Sequence, residues 1–432
     1  MKINLSRSVL ILIAFIIIAF VFFALILDNG FWHDTDFVLL QKSLLIHEGE
    51  SSLFSASANF KFQPLVYAVH YLMFERFHFN PRPYFIFNII LHAVNAFLVF
   101  LMVNTLLRDL QVALLSGILF LFTVGNYGKA VMIASGFEDL MITTLTLLTM
   151  LFYFKNELDK RGRIFTVWFF LTFIFFLASM LVKSTSFSIL GCFLVFNFFF
   201  HDKGGENRKV FDAGFTVLLS VVIIVIIAKS LLFHYTPVFY KESPGILKLI
   251  YITPKNVINY LVRMIFPIHT SHLVSESGAL VVTIHRLATG IRLLIALTVI
   301  SYSFFGFVFG NKTIRFFIAW TYIMVLPFSF FQFPSDWLNI RHLYLVSAGF
   351  TTVISAGAVY CSRLISHKKV FRVVPLAVPV FFIALAFFII TQLNKSYDAR
   401  VDSPRASRYR EYMAEQFSSV QIENGRLRYT RK

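Results

Sequence analysis

The sequence predicts an all-α polytopic membrane protein with about eleven transmembrane helices and amphipathic interfacial helices in its first outer loop. Three observations predict it. Hydrophobic residues make up 58% and charged residues 14% of 432, more apolar surface than a water-soluble chain of this length can hide. Long uncharged runs recur along the chain, and basic residues gather in every second connection between them. The net charge of +17 is therefore read as membrane topology, and nucleic acid is excluded as a partner.

Val9 to Leu27 is uncharged behind Lys2 and Arg7. At about 1.5 Å rise per residue it crosses a hydrocarbon layer of roughly 30 Å. It ends in Leu27-Asp28-Asn29 rather than in the small-residue cleavage site of a signal peptide. Apolar runs follow at about 83–107, 110–125, 138–154, 164–182, 185–200, 210–232, 286–309, 313–333, 342–362 and 371–392. Arg108, then Lys155, Lys160, Arg161 and Arg163, then Lys203, Arg208 and Lys209, then Lys312 and Arg315, then Arg363, Lys368, Lys369 and Arg372 occupy alternate connections. With Lys2 and Arg7 they mark the cytoplasmic side. The other face receives a first loop at about 28–82, a short loop near 126–137, the Lys183 turn, a second long loop at about 233–285 and the segment 334–341. Residues 1–392 read as one transmembrane domain and 393–432 as a polar, basic tail. An eleven-span count leaves that tail outside, against the positive-inside rule unless it folds on the outer surface. A multi-pass protein of the inner or plasma membrane results, with its working residues on the extracytoplasmic face.

The first loop carries its own order. Phe37, Leu40 and Leu44 recur at helical spacing after Asp36, and Pro64 opens a second stretch through Leu65, Tyr67, Val69, Leu72, Met73 and Phe77. Both read as helices in the interface plane, a platform beside the lipid bilayer on which a lipid-linked substrate can rest.

A few polar residues need explaining. Asp34 and Asp36 follow the first span inside Phe31-Trp32-His33-Asp34-Thr35-Asp36-Phe37. Paired carboxylates there suit a general base or ligands to a divalent cation such as Mg or Mn, and Asp36 equally suits a helix cap. Glu138 and Asp139 open the 138–154 run, where a charge left in lipid costs about 2.5–3.5 kcal/mol, so they face water, protein or ligand. Lys183 sits between two apolar runs and either snorkels or grips a phosphate. Arg341, beside His342 and Tyr344, offers a planar fork matched to phosphate. Asn88, His92 and Asn95 form one stripe on the second span, suited to interhelical hydrogen bonds. His269 and His272 have no partners at zinc spacing, and Cys192 and Cys361 lie in separate apolar runs that suggest no disulfide. No Gly-rich phosphate loop, Gly-x-Ser-x-Gly elbow or His-Glu-x-x-His occurs.

Taken in order, these segments resemble the membrane domain of the GT-C glycosyltransferases, in the O-mannosyltransferase-like branch that often carries tetratricopeptide repeats. The resemblance rests on the aspartates after the first span, Pro64-Leu65, Asn88-Ile89-Ile90-Leu91-His92-Ala93-Val94-Asn95-Ala96, Ser135-Gly136-Phe137-Glu138-Asp139-Leu140, Lys183-Ser184-Thr185, Tyr260 to Pro267, and Arg341-His342-Leu343-Tyr344-Leu345 with Gly349-Phe350. The chain departs from the pattern at Gln63, Phe137 and Ser184, where charged residues are usual, and holds no tetratricopeptide-length repeat. The resemblance implies inverting transfer of a sugar from a polyprenyl-phosphate-linked donor to an acceptor hydroxyl on a protein, lipid or glycan. Asp34 or Asp36 would be base or metal ligand, Lys183 and Arg341 the phosphate-side cations, and Glu138 and Asp139 would orient sugar or acceptor, with His342 and Tyr344 beside them. The competing readings are a transporter or flippase for lipid-linked glycans and a catalytically inactive scaffold of the same fold.

Overall fold

The computed structural model describes residues 5–56, 60–123, 130–159, 166–200, 213–233, 246–265, 278–330, 340–364, 374–395, 402–423 and 425–430. His269, His272 and several of the basic linker residues (Lys160, Arg161, Arg163, Lys203, Arg208, Lys209, Lys368, Lys369 and Arg372) lie outside these.

A helix occupies each of the eleven predicted runs. They are α1 (Leu5–Phe23, extended by a 3-10 turn to Asp28), α4 (Arg82–Leu107), α5 (Leu110–Phe122), α6 (Phe137–Asp159), α7 (Val167–Val182) and α8 (Ile189–Phe200) in the first half. In the second half come α9 (Ala213–Phe233), α11 (Gly278–Phe309), α12 (Lys312–Ser329), α13 (Leu343–Leu364) and α14 (Val374–Lys395). The remaining helices are α2 (Asp34–His47) and α3 (Pro64–Phe77) in the first loop, α10 (Ile246–Ile265) in the second long loop, and α15 (Pro404–Gln416) near the C-terminus. Among the described residues, the segments 5–28, 82–107, 134–158, 290–309 and 343–364 are long and apolar enough to cross a bilayer by themselves; five further apolar helices are shorter. The protein is thus an all-α polytopic membrane protein.

α4 packs against α1, α5 and α6, α13 against α5 and α12, and α6 against α7. Residues 134–158 and 343–364 are 72% buried and form the centre, whereas 290–309 is only 6% buried, so its apolar side chains are left for lipid. Backbone contact is closest where α12 meets α13. A Cβ at Gly349 would lie 2.6 Å from the Phe317 carbonyl oxygen and from Thr321 Oγ1, so only glycine fits there. Phenylalanine is not simply lipid-facing bulk. Phe154, Phe196 and Phe316 pack with ring centroids 4.6 to 5.9 Å apart inside the bundle. The predicted stripe is fully interhelical. Asn88 Nδ2 donates to the Ile133 carbonyl at 2.8 Å and Asn95 Nδ2 to the Leu140 carbonyl at 2.9 Å. His92 Nε2 faces the Leu121 carbonyl at 3.2 Å and Nδ1 faces the Tyr344 hydroxyl at 2.7 Å, so the ring carries its proton on Nε2 and accepts from Tyr344.

The C-terminal segment is more than a tail. Tyr409, Met413 and Phe417 recur every four residues on and just after α15 and turn inward. β1 (Val420–Glu423) and β2 (Arg426–Tyr429) then pair antiparallel around Gly425 at φ +72°. This unit packs on the first loop: Tyr409 stacks on Phe37 at 5.2 Å, Tyr429 stacks on His78 at 4.6 Å and its hydroxyl meets His47 Nε2 at 2.8 Å. First loop and C-terminus therefore share a face, which requires an odd number of crossings and agrees with eleven. At the opposite end Arg363 grips Asp109 at 2.6 and 3.0 Å and Gln111 at 2.7 Å, tying α13 to α5.

One first-loop histidine links pH to stability. His70 is 1% exposed, touches Ser43 Oγ through Nδ1 at 2.8 Å, and lies against the Tyr84 and Phe137 rings. Burial holds its imidazole down at about 3. The ordinary histidine value is near 6.5, so its stabilising neutrality is complete above about pH 6.5 and is lost progressively as pH falls toward 3. Thermal unfolding of the detergent-solubilised protein at pH 7 and pH 5 should show a loss on the order of 2 kcal/mol that His70→Gln abolishes. An equal acid loss in that variant would locate the lability elsewhere.

Candidate functional site

The first loop is fixed to the membrane helices by one carboxylate. His33 is the N-cap of α2, and Asp36 Oδ2 reaches back to accept the N–H of His33 at 3.0 Å and of Trp32 at 3.2 Å. Asp36 Oδ1 accepts the Ser135 N–H at 2.7 Å, and the hydroxyls of Thr35 and Ser135 meet at 2.6 Å. Asp36 is 1% exposed; burial raises its pKa against the opposing pull of the Ser135, His33 and Trp32 N–H groups. The structure thus shows Asp36 as cap and tie, holding three backbone N–H groups. Asp34 stands half-buried in the first turn of the same helix.

Ser135 lies three residues before Glu138, so this tie aims the start of α6. Glu138 and Asp139 both meet Lys183, the C-cap of α7, whose Nζ is 3.2 Å from Glu138 Oε1 and 2.9 Å from Asp139 Oδ1. Arg341 Nε approaches Asp139 Oδ2 at 3.7 Å from the turn before α13, and Gln63 Nε2 donates to Glu138 Oε1 at 2.8 Å from the start of α3. Burial alone would lower the Lys183 pKa, but Asp139 and Glu138 outweigh it and hold the ammonium above its usual range; the same carboxylates act on Arg341 in the same sense. Both cations are therefore charged at neutral pH. The exposed Lys61 also lies in the field of Glu138, Lys183, Arg341 and Asp139, which makes a set of three cations and two carboxylates.

Beside the cluster opens a cleft enclosing about 370 Å³, part of it continuous with solvent. Asp139, Lys183, Arg341 and His342 line its polar side, and Ile142, Met324, Phe328 and Leu345 its apolar side. The His342 ring stacks on Phe328 at 4.2 Å, with Nδ1 3.1 Å from the Tyr260 hydroxyl on α10. Tyr344 also lines the cleft, but its hydroxyl turns away to His92 and Asn95, which makes it a wall rather than a polar contact.

The structure thus gathers Glu138, Asp139, Lys183, Arg341 and His342, which sequence reading had named one by one. Asp34 is not part of the cleft lining. Lys61, Tyr260 and Phe328 are additions. Lys61 carried no spacing signal: it stands in the connection before Pro64, outside every motif. Among the described residues, no three His, Cys, Asp or Glu side chains gather as a metal-ligand set.

No family model matches the chain and no curated protein matches it in sequence. Solved structures do match its fold. ArnT from Cupriavidus metallidurans, in a crystal structure bound to undecaprenyl phosphate, superposes with a TM-score of 0.54 at 12% identity over 98% of this chain and 84% of that one. The apo oligosaccharyltransferase of Archaeoglobus fulgidus gives 0.55 at 13% identity over 99% and 62%. The archaeal oligosaccharyltransferase AglB from the same organism, in complex with an inhibitory peptide and a dolichol-phosphate, gives 0.50 at 14% identity over 99% and 61%. The chain thus spans about three fifths of the archaeal enzyme. The likeness shows the fold, which is GT-C-like.

The buried ion pairs make a stability prediction. Lys183→Met strands two carboxylates and should destabilise the solubilised protein by about 3 kcal/mol, as loss of one partner of a buried pair does. In a double-mutant cycle with Asp139→Asn, read by thermal unfolding, much of that loss should be recovered; simple additivity would show that the pair is uncoupled.

Proposed function

We propose that this protein is a glycosyltransferase that moves a sugar from a polyprenyl-phosphate-linked donor to an acceptor hydroxyl at the extracytoplasmic face. The observation that carries the reading is the cleft in which Lys183 and Arg341 stand against an apolar wall. Lipid-linked phosphate has the same two-sided chemistry, and solved proteins of this fold carry undecaprenyl phosphate or dolichol-phosphate. The basic linkers favour the first-loop face as the outer one.

In the proposed reaction the acceptor oxygen attacks the anomeric carbon from the side opposite the phosphate. The carbon–oxygen bond to phosphate breaks with its electron pair on the leaving oxygen, and configuration inverts. Lys183 and Arg341 stabilise the charge that develops there. A base takes the acceptor proton, and the first-loop aspartates Asp34 and Asp36 are the candidates. Glu138 and Asp139 keep the cations at fixed positions and, with His342, face the sugar. If a divalent cation such as Mg or Mn takes part, it would neutralise phosphate charge, with Asp34 and Asp36 the first-loop carboxylates that would hold it. The motif resemblance adds a hexosyl, mannosyl-type donor, with a protein, lipid or glycan hydroxyl as acceptor.

The test is release of polyprenyl phosphate from labelled lipid-linked sugars by the purified protein, with envelope extract supplying acceptors. Asp34→Asn should lower turnover about 100-fold, the range of a positioned base, with its unfolding temperature unchanged. Asp36→Asn should lower turnover and unfolding temperature together. Turnover by Asp34→Asn at the wild-type rate would remove Asp34 from the mechanism, and absence of donor consumption across the sugar panel would overturn the transferase reading.

A further inference from the structure

Lysine is almost never fully buried without a carboxylate partner, yet Lys42 on α2 is 1% exposed and among the described residues its ammonium meets only uncharged groups. Its three N–H bonds are all satisfied. Nζ donates to Ser51 Oγ at 2.7 Å, Ser55 Oγ at 2.6 Å and the Ser55 carbonyl at 3.1 Å. It lies 4.9 Å from the Phe60 ring centroid and 5.1 Å from that of Tyr67, distances at which the ring faces stabilise a cation. All of these contacts but Tyr67 belong to the connection between α2 and α3, and Tyr67 stands on the first turn of α3.

That connection ends at the candidate site. The Tyr67 hydroxyl donates to the Lys61 carbonyl at 2.5 Å, which fixes the backbone from which the Lys61 side chain leaves. Gln63, two residues on, donates to Glu138 Oε1 at 2.8 Å, and Lys61 itself lies in the field of Glu138, Lys183, Arg341 and Asp139. Lys183 and Arg341 already face Glu138 and Asp139 in ion pairs. Among the described residues, Lys61 brings the count to three cations against two carboxylates. A mere filler of the Lys42 site would be apolar, which at a buried position is neutral or better for stability. A caged ammonium instead gathers loop oxygens and two rings around one point.

We propose that Lys42 is a positioning residue that seats Ser51, Ser55 and Phe60 of the α2–α3 connection so that Lys61 presents its charge to the anionic part of the substrate. The proposal rests on the phosphate-binding reading of the cleft, and two measurements on the full-length protein separate them. The first is the rate of tryptic cleavage after Lys61, which needs no ligand. Lys42→Met should raise it at least tenfold while cleavage at Lys155 stays unchanged. The second is affinity for undecaprenyl phosphate in lipid nanodiscs. Lys42→Met and Lys61→Met should each weaken it about tenfold, the effect of one charge-assisted contact. The double variant should bind no more weakly than Lys61→Met, because Lys42 acts through Lys61. Tyr67→Phe, which keeps the ring and removes the hydroxyl, should reproduce the affinity loss and guards against misfolding of the lysine variants. An unchanged cleavage rate, or losses that multiply in the double variant, would overturn the proposal. Failure of the wild type to bind the probe would overturn the donor-site reading instead, while the cleavage rates still decide the seating of the loop.

Discussion

Two adjacent carboxylates at the start of a central membrane helix cannot be buried without cations, and the arrangement of the site follows from that constraint. Glu138 and Asp139 draw Lys183 from the turn after α7, Arg341 from the turn before α13 and Gln63 from the first loop. Each partner comes from a different element, so closing the charge balance also converges the helix ends. In a low-dielectric surrounding the pairs are strong and an unpaired member is costly. A preorganised set of charges of this kind also needs little rearrangement when a phosphate oxygen begins to carry negative charge.

Asp36 performs the complementary mechanical task. With one oxygen it caps α2, and with the other it holds the Ser135 N–H, so the first loop and the start of α6 move as one piece. An Asp-x-Asp pair beside a membrane boundary invites a catalytic reading of both members, and the backbone donors around the second give it a structural task as well. Lys42 repeats the theme on the far side of α2, where a charged group buried among hydroxyls and rings orders a connection that has little regular structure of its own. Buried polar groups in this loop thus specify conformation through satisfied hydrogen bonds.

The C-terminal helix and hairpin settle a matter that charge counting leaves in conflict. Arginines in that segment argue for the side opposite the first loop, yet Tyr409, Tyr412 and Tyr429 contact Phe37, Gln41 and His78 on the first loop itself. Packing of aromatic surface outweighs a statistical charge rule that applies best to short unfolded connections. The Asn424-Gly425 dipeptide and the four-residue recurrence of Tyr409, Met413 and Phe417 were readable signals for this unit, obscured by the polar composition around them.

The sequence alone determined the class, the eleven apolar runs, the two first-loop helices, the stripe of Asn88, His92 and Asn95, and the charged residues Glu138, Asp139, Lys183 and Arg341 of the cluster. Each of these follows from local hydrophobic periodicity or from the cost of a charge in lipid, and both are written in neighbouring residues. Tertiary structure alone decided which polar group faces which. A backbone N–H 99 residues away makes Asp36 a tie as well as a cap, a hydroxyl bonded 252 residues away turns Tyr344 into a wall, and a loop lysine absent from every motif joins the charge cluster. Hydrogen-bond partners across such separations are set by how the helices pack, and no spacing along the chain encodes that packing.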